Sequence, residues 1–201
     1  MTGTGLATAF LAAAMALAAP AAGAAGLRIG LQSDPDALDP ATGTSFTGRI
    51  VFAALCDKLV DIDPRMEVVP QLATAWSWSA DGLALTMTLR DGVVFHDGER
   101  FDAAAARENL ERYRTAPLSR RKAELKAVSA VEAPDPRTLV LRLSEPFAPL
   151  LSVLADRAGM MMSPAASRLN GYAPMLAIST PTLRSLLVVA CQARSCTSSV
   201  W

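Results

Sequence analysis

The stretch Trp76-Ser77-Trp78-Ser79-Ala80-Asp81-Gly82-Leu83-Ala84-Leu85-Thr86-Met87-Thr88-Leu89-Arg90-Asp91-Gly92-Val93-Val94-Phe95-His96-Asp97-Gly98-Glu99-Arg100-Phe101-Asp102 encodes a hairpin, a tight turn and a helix entry, in that order. Leu83, Leu85, Met87 and Leu89 alternate with Ala84, Thr86, Thr88 and Arg90, the period of a strand with one buried face. Trp76 and Trp78 share one face of the preceding run, and Ala80-Asp81-Gly82 supplies the turn between the two strands. Two on one side of a hairpin fit core or edge packing better than a stacking platform for a ligand. Asp91-Gly92 and Asp97-Gly98 mark two further turns. Asp102 then caps a helix built from the strong helix formers of Ala103 to Arg114.

Working outward, Leu27 to Gln32 reads as a first strand, followed by a turn-rich loop dense in Asp and Pro, Ser33 to Pro40. Ser45 or Thr47 caps a helix carrying Ile50, Val51, Ala54 and Leu55 on one face. Asp63-Pro64-Arg65-Met66 makes a turn. Ala127 to Ala133 and Arg137 to Leu143 form a second hairpin around Pro134-Asp135-Pro136. Pro146 to Pro149 opens a short apolar helix through Leu154.

The 201 residues suffice for one domain or two small ones, and 51% are hydrophobic. Nineteen basic and nineteen acidic residues cancel, and no basic cluster is interleaved with aromatics, so nucleic acid is not an expected partner. The one locally basic run, Ser119-Arg120-Arg121-Lys122, reads as a solvated helix end. Residues 1–25 have the apolar run and small-residue cleavage zone of a secretory signal peptide, with Ala22-Gly23-Ala24 as a cleavage site and no basic residue before Phe10. Pro20 and Gly23 interrupt the run, which favours cleavage over a membrane anchor.

Cys56 reads as a small buried residue within an apolar run, and Cys191 and Cys196 are spaced to close a small loop. A single histidine and the absence of Cys-x-x-Cys leave zinc almost without ligands. His96 lies in the Phe95-His96-Asp97-Gly98 turn and is expected to serve the backbone there. Asp34, Asp36 and Asp39 are interrupted by prolines and followed by no glutamate, so they read as turn formers rather than as a calcium loop. Glu108 and Glu111 read as a solvated helix face, and no Gly-x-Ser-x-Gly elbow accompanies the serines. No catalytic residue, metal or cofactor is expected.

The order of hairpin, Phe-His-Asp-Gly turn and helix resembles the extracytoplasmic solute-binding proteins of ABC importers, specifically the peptide- and nickel-binding family 5. Leu38-Asp39-Pro40, Leu59-Val60, Pro70-Gln71-Leu72-Ala73 and the strand and turn expected at Gly159 to Pro164 follow that family's order over residues 27–166. The resemblance implies an α/β architecture, part of a two-lobed, type II periplasmic-binding-protein-like fold with a mixed β-sheet and flanking helices. After the signal peptide, residues 26–62 would open the first lobe and residues 63–166 would form a smaller mixed unit. The implied function is capture of a peptide or other small solute by a periplasmic monomer that docks on a membrane permease. The loop after the first strand would form one cleft wall, with Thr44, Ser45 and Phe46 facing the ligand through hydroxyls, backbone amides and one aromatic face. An exported hydrolase and a membrane-tethered interaction domain are the alternatives, neither with a motif behind it.

Beyond residue 166 the character changes: from Arg168 to Trp201 there is no Asp, Glu or Lys. Residues 167–201 are therefore expected to be a divergent tail, frame-shifted or truncated, and the chain as written is expected to bind no solute with useful affinity.

Overall fold

A computed structural model describes residues 29–169 and 193–194. The signal segment, the pairing of Cys191 with Cys196 and most of the divergent tail lie outside the described residues. Residues up to Leu31 belong to one unit, and the described residues from Gln32 onward form a second, compact one.

That unit opens with helix α1, Phe46–Leu55, whose N-cap is Ser45: its Oγ accepts the N–H of Gly48. Strands β1, Val60–Ile62, and β2, Val68–Pro70, pair around the expected Asp63–Met66 turn. Met66 adopts a φ of 67°, and the Asp63 carboxylate offsets that conformation by accepting the N–H groups of Arg65 and Glu67, each at 2.9 Å.

The predicted hairpins are both present. Strands β3, Ala73–Trp78, and β4, Ala84–Leu89, turn at Gly82, whose φ of 70° suits glycine. After β5, Val94–Phe95, and helix α2, Ala103–Thr115, come strands β6, Val128–Asp135, and β7, Thr138–Leu143. The two hairpins join through β4 and β7 into one sheet of order β3-β4-β7-β6, and every pairing among the described strands is antiparallel. Helices α3, Leu150–Leu154, and α4, Pro164–Leu169, flank a 3-10 turn at Arg157–Gly159. A last two-residue strand, β8, Ala193–Arg194, pairs with β5.

The alternation in β4 does what its period requires. Leu85, Met87 and Leu89 are wholly buried, and Leu85 and Met87 stand opposite Leu141 and Leu139 of β7, which are buried too. Helix α2 starts at Asp102, whose carboxylate accepts the Ala105 N–H at 2.9 Å, and adds Ala106, Leu110 and Tyr113 to the core. Trp76 and Trp78 are half-buried against the same core. Ala41, Leu59 and Val60 belong to it as well, so the loop before α1 and the sheet share one interior.

Three expectations need correction. Residues 29–32 are not in a strand, because a strand needs a ladder partner and none pairs with them among the described residues. Among the described residues Met160 makes only an isolated bridge to Lys58, with flanking bonds from Leu59 N to Gly159 O and from Met161 N to Asp57 O, so the expected strand is one residue long there. Cys56 is, as expected, a small buried residue beside Phe52, Met160 and Met162, and its sulfur is disulfide-bonded. Glu111 is half-buried rather than solvated, because it pairs with Arg114 and accepts the N–H of Val131 at 3.2 Å.

Candidate ligand-facing site

Thr44, Ser45 and Phe46 form the entry to α1. Thr44 is exposed, Ser45 is partly covered, and Phe46 keeps 74% of its surface open, an unusual exposure for a ring at a helix start. The segment is fixed from its own side of the chain by Asp36. One carboxylate oxygen accepts the N–H of Thr44 at 2.8 Å and its hydroxyl at 2.6 Å. The other accepts the N–H and hydroxyl of Ser45 at 3.1 and 2.7 Å.

This arrangement redistributes the chemistry that the sequence placed here. The amides and hydroxyl hydrogens of Thr44 and Ser45 all point into Asp36, and Ser45 Oγ is further engaged by Gly48 N. The lone pairs of Thr44 Oγ1 and the open face of Phe46 are what the segment offers outward. The side chains of the wall therefore offer acceptors and apolar surface, with the donors of Thr44 and Ser45 already held. Burial pushes the Asp36 carboxyl up, but the hydrogen bonds from Thr44 and Ser45 outweigh it and hold the group well below the usual carboxylate range.

Behind the segment lies a charged layer. Asp39 is buried, accepts the Ala41 N–H at 2.9 Å, and forms a two-pronged ion pair with Arg112 of α2, one prong measuring 3.0 Å. Arg121 Nη2 and Arg157 Nη1 both donate to the Gly43 carbonyl, at 3.2 and 3.1 Å. Arg121 also pairs with Glu124, and Arg49 of α1 with Asp156. Gly43 is required by close approach: a Cβ there would lie 2.9 Å from the Phe52 ring and 3.2 Å from the Asp39 carbonyl.

The run Ser119 to Lys122 lies beyond the helix end and is only half solvated: Arg120 and Lys122 are exposed, Ser119 and Arg121 are not. Ser119 and Arg121 are buried in a turn-rich connection after α2, and the hydroxyl of Ser119 donates to Tyr113 O at 2.6 Å. Sequence reasoning missed Asp36, Arg112, Arg121 and Arg157 as supports of the segment. Only Asp36 carried a local signal, since it precedes the cap of α1 by nine residues and heads the turn-forming cluster.

His96 stands apart from this segment, in the Phe95–Gly98 turn, where Gly98 N bonds Phe95 O at 3.0 Å and Gly98 has a φ of 89°. Its charged neighbour is Asp57, whose carboxyl is raised by burial against the opposing pull of Arg90, His96 and Lys58. Among the described residues no group of three His, Cys, Asp or Glu side chains is placed to hold a metal ion, and no helix is long and apolar enough to cross a membrane.

Two hairpins joined into one antiparallel sheet, covered by a capped helix and preceded by a loop and helix, form part of a two-lobed, type II periplasmic-binding-protein-like α/β fold. Three solved structures share it. They are AgaA in complex with agropinic acid from A. tumefaciens R10 (29% identical, TM-score 0.65, covering 71% of this chain and 29% of that one), NikA from Brucella suis in complex with Fe(III)-EDTA (28%, 0.60, 64% and 26%), and the murein tripeptide binding protein MppA of Escherichia coli (25%, 0.63, 69% and 31%). The chain belongs to the bacterial extracellular solute-binding proteins of family 5, whose middle-region family model matches residues 67–177. The glutathione-binding protein GsiB of Salmonella paratyphi A (strain ATCC 9150 / SARB42) is 35% identical over 148 residues, which are 73% of this chain and 29% of that protein. GsiB of Escherichia coli (strain K12) is 34% identical over 130 residues, 64% of this chain and 25% of the relative. The chain spans between a quarter and a third of the length of these relatives.

Proposed function

We propose that this chain supplies part of the substrate-binding component of an ABC importer, one that captures peptides or similar small solutes outside the cytoplasm and presents them to a membrane permease. The family match over residues 67–177 carries this reading. In such a protein the solute is surrounded as lobes close over it, because the ligand has greater affinity for the closed state. No bond in the solute is made or broken. Residues 26–62 would open the first lobe, residues 63–166 would form the smaller unit, and residues 1–25 would direct export of a monomer to the periplasm.

Thr44, Ser45 and Phe46 would form one wall of the cleft. Their geometry favours a solute that brings its own N–H donors and apolar surface, as a short peptide does, since the donors of Thr44 and Ser45 are already held by Asp36. The test is a chimera in which residues 29–169 replace the aligned stretch of Escherichia coli GsiB, titrated calorimetrically with glutathione and with a pool of di- and tripeptides. Saturable one-to-one binding that weakens about tenfold with Phe46→Ala, the loss of one well-packed aromatic contact, is the expected result. A chimera that melts cooperatively yet binds none of these probes would overturn the reading.

A further inference from the structure

We propose that Arg121 and Arg157 are positioning residues for the Thr44–Phe46 wall: from two separate elements they grip the single carbonyl of Gly43 and so fix the backbone on which that wall is mounted. The proposal rests on the reading of Thr44 to Phe46 as ligand-facing, and deepens it by naming what holds the wall in place.

The two guanidiniums approach from independent directions. Arg121 comes from the connection between α2 and β6, 78 residues after Gly43, and Arg157 from the 3-10 turn, 114 residues after it. A carbonyl oxygen has two lone pairs, so both bonds can be made at once. Arg157 also reaches the Ser45 carbonyl, at 3.5 Å, at the edge of bonding distance. The backbone N–H of Arg120 adds a bond of 2.7 Å to the carbonyl of Ala41. The stretch from Ala41 to Ser45 is therefore held by groups remote in sequence at three of its carbonyls.

The cost of this arrangement argues that it is specific. Arg121 is only 4% exposed, and the buried Nε atoms of Arg121 and Arg157 have no hydrogen-bond partner among the described residues. Burying a guanidinium with a donor unmet is unfavourable, and bringing a second beside it adds repulsion. Burial, and then the charge of Arg121, depress the basicity of Arg157. Glu124 on Arg121 and Asp156 beside Arg157 offset part of that repulsion, although Asp156 is shared with Arg49. A fold that needed only a packed interior would be better served by apolar side chains at both positions. What a guanidinium supplies and an apolar chain cannot is a directional grip on a backbone carbonyl.

Gly43 makes the grip rigid. A Cβ there would lie 2.9 Å from the ring of Phe52, which belongs to the small core of Phe52, Cys56, Met160 and Met162, so the peptide has little room to shift toward that core. Asp36 holds the next two residues from the other side, leaving the wall between two sets of bonds.

Hydrogen–deuterium exchange on the full 201-residue chain tests the grip. In Arg157→Met the amides of Thr44 and Ser45 are expected to exchange about tenfold faster, as for loss of one charge-assisted bond, while amides in β4 and β7 keep their rates. Arg157→Lys, which retains a cationic donor, is expected to restore most of the protection. Arg121→Met is the second variant and is expected to act on the same amides. Unchanged exchange at Thr44 and Ser45 in both Met variants would overturn the proposal, as would an equal acceleration through β4 and β7, which marks general loosening. The measurement contains no solute. Its failure removes the grip and leaves the solute-binding reading standing, whereas failure of the peptide titration removes that reading and the wall's role with it, while the faster exchange of the Met variants would still show the grip.

Discussion

The Asp36 carboxylate accepts both the backbone N–H and the hydroxyl of Ser45, at 3.1 and 2.7 Å, so the residue that caps α1 is itself held by the loop before it. Capping here is a relay. Asp36 fixes Ser45, Ser45 satisfies Gly48 N, and the first turn of the helix inherits the orientation of the loop.

The pH dependence of this relay follows from the lowered Asp36 pKa. A carboxyl whose folded-state pKa is depressed contributes stability that is fully present above its unfolded pKa, near 3.9, and is lost as pH falls through the folded value. Exchange protection at Thr44 and Ser45 is therefore expected to persist through the ordinary carboxylate range and to fail only below it. Asp36→Asn removes the charge and is expected to cost about 1 kcal/mol at pH 7, a modest value because the site is open to water. Hydrogen–deuterium exchange at Thr44 and Ser45 between pH 7 and pH 3 checks the first statement, and urea denaturation of the two proteins at pH 7 checks the second.

The pair of Asp39 with Arg112 is mostly hidden, with side-chain exposures of 12% and 17%. Arg112→Met would leave a carboxylate buried without its cation, a loss of about 3–5 kcal/mol. The double variant with Asp39→Asn is expected to recover part of that loss. Urea midpoints at a constant m-value are the measurement, and a single variant as stable as the parent would show that the pair contributes nothing.

Asn109 of α2 is buried and bridges the helix to the chain beyond the 3-10 turn: its amide donates to Ala105 O at 2.9 Å and to Met162 O at 2.8 Å, and accepts from Met162 N at 3.0 Å. Asn109→Leu keeps the volume but strands both backbone groups of Met162. The expected destabilisation is about 2–4 kcal/mol, from two buried polar groups left unmet. Thermal unfolding followed by circular dichroism would register it.

His96→Ala is expected to shift stability by less than about 1 kcal/mol, because the imidazole lies in a turn whose backbone bonds are made without it. In the GsiB chimera the same substitution should leave peptide affinity unchanged. Loss of binding at an unaltered melting temperature would assign His96 a role in recognition.

The sheet was legible because its signals are local. Alternation in Leu85 to Leu89 and in Leu139 to Leu143, with a turn dipeptide between strands, suffices to specify two hairpins. The cap at Asp102 was visible for the same reason. The segment 159–162 differs from expectation because a strand depends on what lies beside it, and among the described residues only Lys58 bridges to Met160. Arg121 was misjudged because a basic run is charged and water normally solvates it. Its partner Gly43 is 78 residues earlier, and no spacing rule in a single sequence connects the two. The same distance in sequence hid Arg112 from Asp39 and Arg157 from Gly43.

The register irregularities of the sheet bear on how copies of this chain meet. They fall between Ala73 and Ala75 in β3 and along β6 at residues 128–130 and 132–135, the two outermost strands of the described sheet, and none falls between β4 and β7. Such irregularities bend and twist a strand, and β6 also carries Pro134, which has no N–H to offer. An approaching strand would find no straight row of backbone groups on either side. The interior of the sheet is regular where it must close on its own partner, and its borders are broken where a foreign strand would otherwise continue the ladder.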